Sequence, residues 1–120
     1  MRHIELEFLG GASEVGKTGI LVEDKKTRVV LDYGVKIEKE PNEYPNYPGK
    51  TDAIILSHGH LDHSGAIPIL YRKGSPEFIA TDLTTEITTL LLKDSFKIAK
   101  KMKEHLPFGT NDYKKMLRCS

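Results

Sequence analysis

Residues 58 to 63 are His-Gly-His-Leu-Asp-His, which gathers three of the chain's five histidines and one aspartate into a single short stretch. Imidazole nitrogens and a carboxylate together suit zinc-type cations, and a catalytic site of that kind keeps a coordination position open for water. A single histidine in a polar loop is ordinarily a surface residue. Four ligand-type residues at this spacing, after a hydrophobic strand, point to metal chemistry instead. Gly59 lets the backbone turn tightly between the first two imidazoles. In such a turn His58 and His60 point to one side, while Asp62 and His63 reach a second position roughly 3.5–4 Å away, the spacing of two-metal sites.

A second motif promises different chemistry and fails on context. Gly11-Ala12-Ser13-Glu14-Val15-Gly16-Lys17-Thr18 matches the phosphate-binding pattern GxxxxGK[ST]. That pattern works when a helix follows, because exposed N–H groups at the helix N-terminus hold the phosphates. Here Gly19 to Glu23 follows, then a turn, then Thr27 to Leu31, which is a hairpin pattern. Glu14 would also place a negative charge beside the phosphates. The expectation is a glycine-rich strand connection at the rim of a site.

The elements that must position the cluster follow from periodicity. His3 to Leu9 alternates apolar and acidic residues, the period of a half-buried strand. Gly19–Glu23 and Thr27–Leu31 form a hairpin across Asp24-Lys25-Lys26, and Asp32-Tyr33-Gly34 closes its second strand. Residues 35 to 50 contain Pro41, Pro45 and Pro48 and should be a long irregular loop. Asp52 to Ser57 is a buried-looking strand that empties into the histidines. Ala66 to Tyr71 should be a short helix, and Glu77 to Ala80 a short strand. Thr81 or Asp82 caps a long helix, with Leu83, Ile87, Leu90, Leu91, Ile98 and Met102 expected on its core face. Lys93, Lys97 and Lys101 would form a charged stripe away from that core, and Pro107-Phe108-Gly109 would end the helix. Asn111 to Leu117 begins another. Strands first, then strand–helix–strand–helix, indicates an α/β layered domain with helices on the sheet.

Composition narrows the class. With 120 residues, 38% hydrophobic and 29% charged, the chain suits one globular domain with a modest core. No apolar run reaches membrane-spanning length, so no membrane role is expected. The N-terminus is a strand pattern rather than a signal peptide, and the single Cys119 has no partner for an internal disulfide, which together favour the cytoplasm. Residues 1–63 carry 8 basic and 11 acidic side chains, and residues 64–120 carry 10 and 6. That mild split fits ordinary solvated helix faces as well as a basic flank for a polyanion.

Ser57-His58-Gly59-His60-Leu61-Asp62-His63-Ser64-Gly65-Ala66-Ile67-Pro68 resembles the signature of the metallo-β-lactamase fold. Phe8 to Gly16, Leu31-Asp32-Tyr33-Gly34, and Ala80 to Ser95 resemble its RNA-processing β-CASP branch, which includes ribonuclease J and the cleavage and polyadenylation specificity factor nucleases. The resemblance implies an α/β fold: the N-terminal half of an αββα sandwich, with a mixed, largely antiparallel sheet and helices on one face. It implies that His58 and His60 bind a first zinc ion and Asp62 and His63 a second, with Asp62 part of the catalytic group. Asp32 would be a supporting residue that orients ligands; as a sequence feature alone it is equally a turn aspartate. Hydrolysis of a phosphodiester in single-stranded RNA is the implied reaction, with a homodimer among the assemblies left open. The lysine stripe and the Tyr44-Pro45-Asn46-Tyr47-Pro48 loop are candidates to flank RNA, though tyrosines beside prolines commonly serve as loop packing.

The family completes its site with a later His, a bridging acid and a further His, and carries an inserted β-CASP domain. None of these motifs follows residue 63, and His105 lies in no recognisable motif. The expectation is therefore a partial metallo-β-lactamase domain over residues 1–120. Two alternatives stay open: a catalytically incomplete remnant that binds metal weakly or packs against a partner, and another hydrolase of the fold, of thioesterase or lactonase type.

Overall fold

A computed structural model describes residues 3–37 and 41–120; residues 38–40 of the expected irregular loop lie outside the described residues. Five strands are present in it: β1 (Glu5–Gly10), β2 (Gly19–Glu23), β3 (Arg28–Tyr33), β4 (Ala53–Ile55) and β5 (Glu77–Ile79). They form one sheet in sequential order. β1, β2 and β3 pair antiparallel, with a short turn between β2 and β3, and β3, β4 and β5 pair parallel. The sheet is thus mixed, with two pairings of each kind among the described residues. Parallel neighbours need a long crossover connection. The β4–β5 crossover contains α1 (Leu61–Ser64) and a 3-10 helix (Ile67–Tyr71), and the histidine cluster lies near its start, after Leu56 and Ser57.

Alternation along each strand sorts side chains to two faces. Leu21, Val30, Ile54 and Phe78 stand in register across β2 to β5 and are all buried. The 3-10 helix, α2 (Asp82–Met102) and α3 (Thr110–Arg118) cover that face. Ile67, Leu70, Tyr71, Leu92, Tyr113 and Met116 complete its core cluster. The opposite face carries Phe8, Ile20, Leu31, Ile55 and Ile79 in one row across all five strands. Phe8, Leu31, Ile55 and Ile79 are exposed there. The helices therefore lie on one face, as the α/β half-sandwich requires.

Two expectations for the long helix are corrected. Thr81 does cap it, accepting the Thr84 N–H at 3.1 Å. The buried side, however, carries Thr88, Leu92 and Ala99, while Leu83, Ile87, Leu90, Ile98 and Met102 are exposed. The helix has two apolar stripes, and periodicity by itself does not say which one is buried. It also ends at Met102, before Pro107. Lys103 takes a left-handed conformation (φ 55°), and Glu104 N–H returns to the Ala99 carbonyl at 2.8 Å. This six-to-one closure stops the helix through the backbone.

Candidate metal centre

The site begins with an irregularity in β3. Gly19 pairs with Tyr33 and Ile20 with Leu31, so Asp32 is an extra residue between them. Its φ is 59°, in the left-handed region that few side chains other than Asn and Asp enter readily. A bulge of this kind re-aims a side chain at a sheet end. Here it turns the Asp32 carboxylate beneath the histidine loop.

That loop is tied down by backbone contacts. Leu56 N–H donates to the Ile79 carbonyl at 2.9 Å, which ends β4 against β5. The buried Ser64 hydroxyl lies 3.0 Å from the carbonyls of both Gly59 and His60, to which it donates. Thr18 N–H donates to the Asp62 carbonyl at 3.1 Å, and Val35 N–H to that of Leu61 at 2.9 Å. These contacts need Gly34 without a side chain, because a Cβ there would overlap the Asp62 carbonyl. Gly59 meets α2 in the same way: a Cβ would stand 2.6 Å from Ile87 Cγ2.

Within this frame, His58, Asp62 and His63 each offer a ligand atom, and the three atoms lie within 4.8 Å of one another. The His58 and His63 rings are 4.0 Å apart, and His63 Nε2 is 3.6 Å from Asp62 Oδ2. His63 Nδ1 is 2.8 Å from Asp32 Oδ2. A carboxylate only accepts, so Nδ1 carries the proton and Nε2 keeps its lone pair. That lone pair faces a second carboxylate oxygen, an arrangement that a cation between them satisfies. The donor set fits a divalent metal, with His58, Asp62 and His63 as the residues that would hold it.

His60 stands outside that group. Its ring is edge-on to His58 at 5.2 Å, and its extended backbone precedes α1. It lines a shallow depression with Val15, Val35, Lys36, Asp62 and Leu91. His105 is exposed beyond the end of α2. Sequence reasoning missed Ser57, whose hydroxyl is 2.8 Å from Asp32 Oδ2 and 3.0 Å from His58 Nδ1. Its signal was its position, the last residue before the first imidazole.

The glycine-rich loop behaves as expected. A strand, not a helix, follows it. Lys17 forms ion pairs with Glu14 at 3.7 Å and Glu43 at 3.6 Å. A hydrogen bond from Lys36, 2.9 Å away, is the main reason the Glu14 carboxyl is held below its usual range. The tyrosine loop packs against the sheet: the Tyr33 hydroxyl donates to the Asn46 carbonyl at 3.0 Å, and Asn46 N–H donates to Leu9 at 2.8 Å. Tyr44 lies against the core, whereas Tyr47 is 50% exposed. The lysines of α2 are exposed, but the stripe leads away from the metal group. Ile87 adjoins Gly59, and Lys101 lies about 21 Å farther along the helix.

Comparison with known proteins agrees with this geometry. The metallo-beta-lactamase superfamily matches residues 16–112. The chain is 40% identical over 119 residues to "Probable RNase MJ4" of Methanocaldococcus jannaschii, covering 96% of this chain and 28% of that protein. It is 39% identical to "Transcription termination factor FttA" of the same organism, covering 92% of this chain and 19% of the relative. With "RNase aCSPSF2" of Saccharolobus solfataricus the identity is 41%, over 78% of this chain and 20% of the relative. The chain therefore spans 28% or less of the length of these three relatives. Its fold, its histidine loop and these matches agree: the chain belongs to the metallo-β-lactamase superfamily, and the relatives it resembles lie in the β-CASP RNA-processing branch.

Proposed function

We propose that this chain supplies the first metal-ligand block of a hydrolase that cleaves phosphodiester bonds in single-stranded RNA, with zinc as the cation. The observation that carries the reading is the His58–Asp62–His63 group, its ligand atoms within 4.8 Å and His63 oriented by Asp32. Nitrogen and carboxylate donors suit zinc, and two of the relatives above carry RNase in their names. When bound, the metal supplies Lewis-acid stabilisation of phosphoryl charge and acidifies water. The chain's own residues do the positioning. Asp32 holds the proton on His63 Nδ1, and Thr18 and Val35 hold the backbone of α1. Asp62 brings a carboxylate to the open side of the group, and His60 contributes a further imidazole at its edge.

A two-metal site needs ligands beyond these three, so the rest of the site is proposed to come from outside residues 1–120. The exposed apolar sheet face favours a second reading, in which the chain packs on a partner and holds metal weakly. Parallel assays on the full-length protein separate these readings. Single-stranded RNA should be cleaved in a zinc-dependent way, a thioester should not, and His60→Ala should abolish the RNA activity. Thioester hydrolysis without RNA cleavage points to another hydrolase of the fold; neither activity points to the packing role.

A further inference from the structure

We infer that Ser57 is a positioning residue for the metal group, acting on His58 as Asp32 acts directly on His63. The inference rests on the metal-site reading above but concerns a residue that reading does not use. Ser57 follows β4 and makes three polar contacts. Its N–H donates to Asp32 Oδ1 at 2.8 Å. Its hydroxyl is 2.8 Å from Asp32 Oδ2 and 3.0 Å from His58 Nδ1. A hydroxyl has one proton to give, and the carboxylate has none. The Ser57 proton therefore goes to Asp32, and the Ser57 oxygen is left to accept from His58. That fixes the His58 proton on Nδ1 and leaves Nε2 as the lone-pair donor.

The consequence is that one carboxylate sets both imidazoles. Asp32 Oδ2 receives His63 Nδ1–H directly and the Ser57 hydroxyl beside it. Through Ser57 the same oxygen selects the tautomer of His58. The bulge that gives Asp32 its left-handed backbone is what lets one side chain reach both partners. Ser57 also has a purely structural contact, the N–H to Asp32 Oδ1, which any residue at position 57 retains. The hydroxyl can thus be removed without untying β4 from β3.

The test compares Ser57→Ala and Ser57→Thr with the parent chain. Long-range ¹H–¹⁵N spectra of the imidazoles in the metal-free chain should place the His58 proton on Nδ1, and Ser57→Ala should move it to Nε2. Competition with a chromogenic chelator should show roughly tenfold weaker Zn²⁺ binding in Ser57→Ala. The Co²⁺ visible spectrum should change with it, and Ser57→Thr should restore all three readouts. Circular dichroism should be unchanged throughout. A parent His58 protonated on Nε2, or a Ser57→Ala chain with the parent's tautomer and Zn²⁺ affinity, overturns the inference. Absence of RNA cleavage with these readouts intact rejects the proposed substrate and leaves Ser57's role standing.

Discussion

Asp32 and His63 are 31 residues apart in sequence and meet at 2.8 Å, Oδ2 to Nδ1, because β3 ends in a bulge directly under α1. The contact gives the imidazole both an orientation and a tautomer. Asp32→Asn keeps the size and an acceptor for Ser57 N–H, but puts an N–H₂ donor where Oδ2 accepts from His63 Nδ1–H and the Ser57 hydroxyl. The expected result is a folded chain whose Zn²⁺ affinity falls about 10–100-fold. Chelator competition measures it; parent-like affinity would show that His63 needs no such partner.

Gly34 is where the sheet and the ligand helix touch without side chains. Gly34→Ala places a methyl group on the Asp62 carbonyl and separates Thr18 and Val35 from α1. We expect a loss of about 2–4 kcal/mol in urea denaturation, the cost of forced overpacking with broken hydrogen bonds, together with weakened metal binding. Retention of both would mean that α1 shifts freely.

The two apolar stripes of α2 make a paired prediction. Leu92→Ala opens a cavity in a fully buried position and should cost about 2–5 kcal/mol. Leu90→Ala, on the exposed stripe, should cost about 0.5 kcal/mol or less. Equal costs would return the core to the face that periodicity suggested.

That face shows where the sequence stopped being informative. Leu83, Ile87, Leu90, Ile98 and Met102 make the more conspicuous stripe, yet the buried positions are Thr88, Leu92 and Ala99. Threonine and alanine are small enough for close approach, and a hydropathy pattern gives them little weight. The strands, the crossover and the histidine loop were legible, because alternation and ligand spacing are local. The bulge at Asp32 was not, since its extra residue is defined only against β2. Ser57 was hidden for the same reason: its partners are Asp32 and His58, and only the first makes sense of the second.

Buried tyrosines set an alkaline limit. Burial is the main cause of the raised hydroxyl pKa values of Tyr33 and Tyr71. The folded chain therefore keeps phenolic protons that the unfolded chain releases above about pH 10. Stability from these groups is complete below that pH and is lost as pH climbs from there toward the raised values. Urea midpoints should fall above about pH 10, and a Tyr33→Phe, Tyr71→Phe chain should show a shallower fall. An identical slope in that chain would assign the alkaline loss to other groups.

The most direct measurement of the central claim is metal-dependent cleavage of an end-labelled single-stranded RNA by the full-length protein. Chelation should stop cleavage, added Zn²⁺ should restore it, and His63→Ala should remain inactive at every Zn²⁺ concentration. Undiminished cleavage by His63→Ala, or by the chelated protein, would contradict the assignment of this group as the metal-holding site of an RNA-cleaving hydrolase.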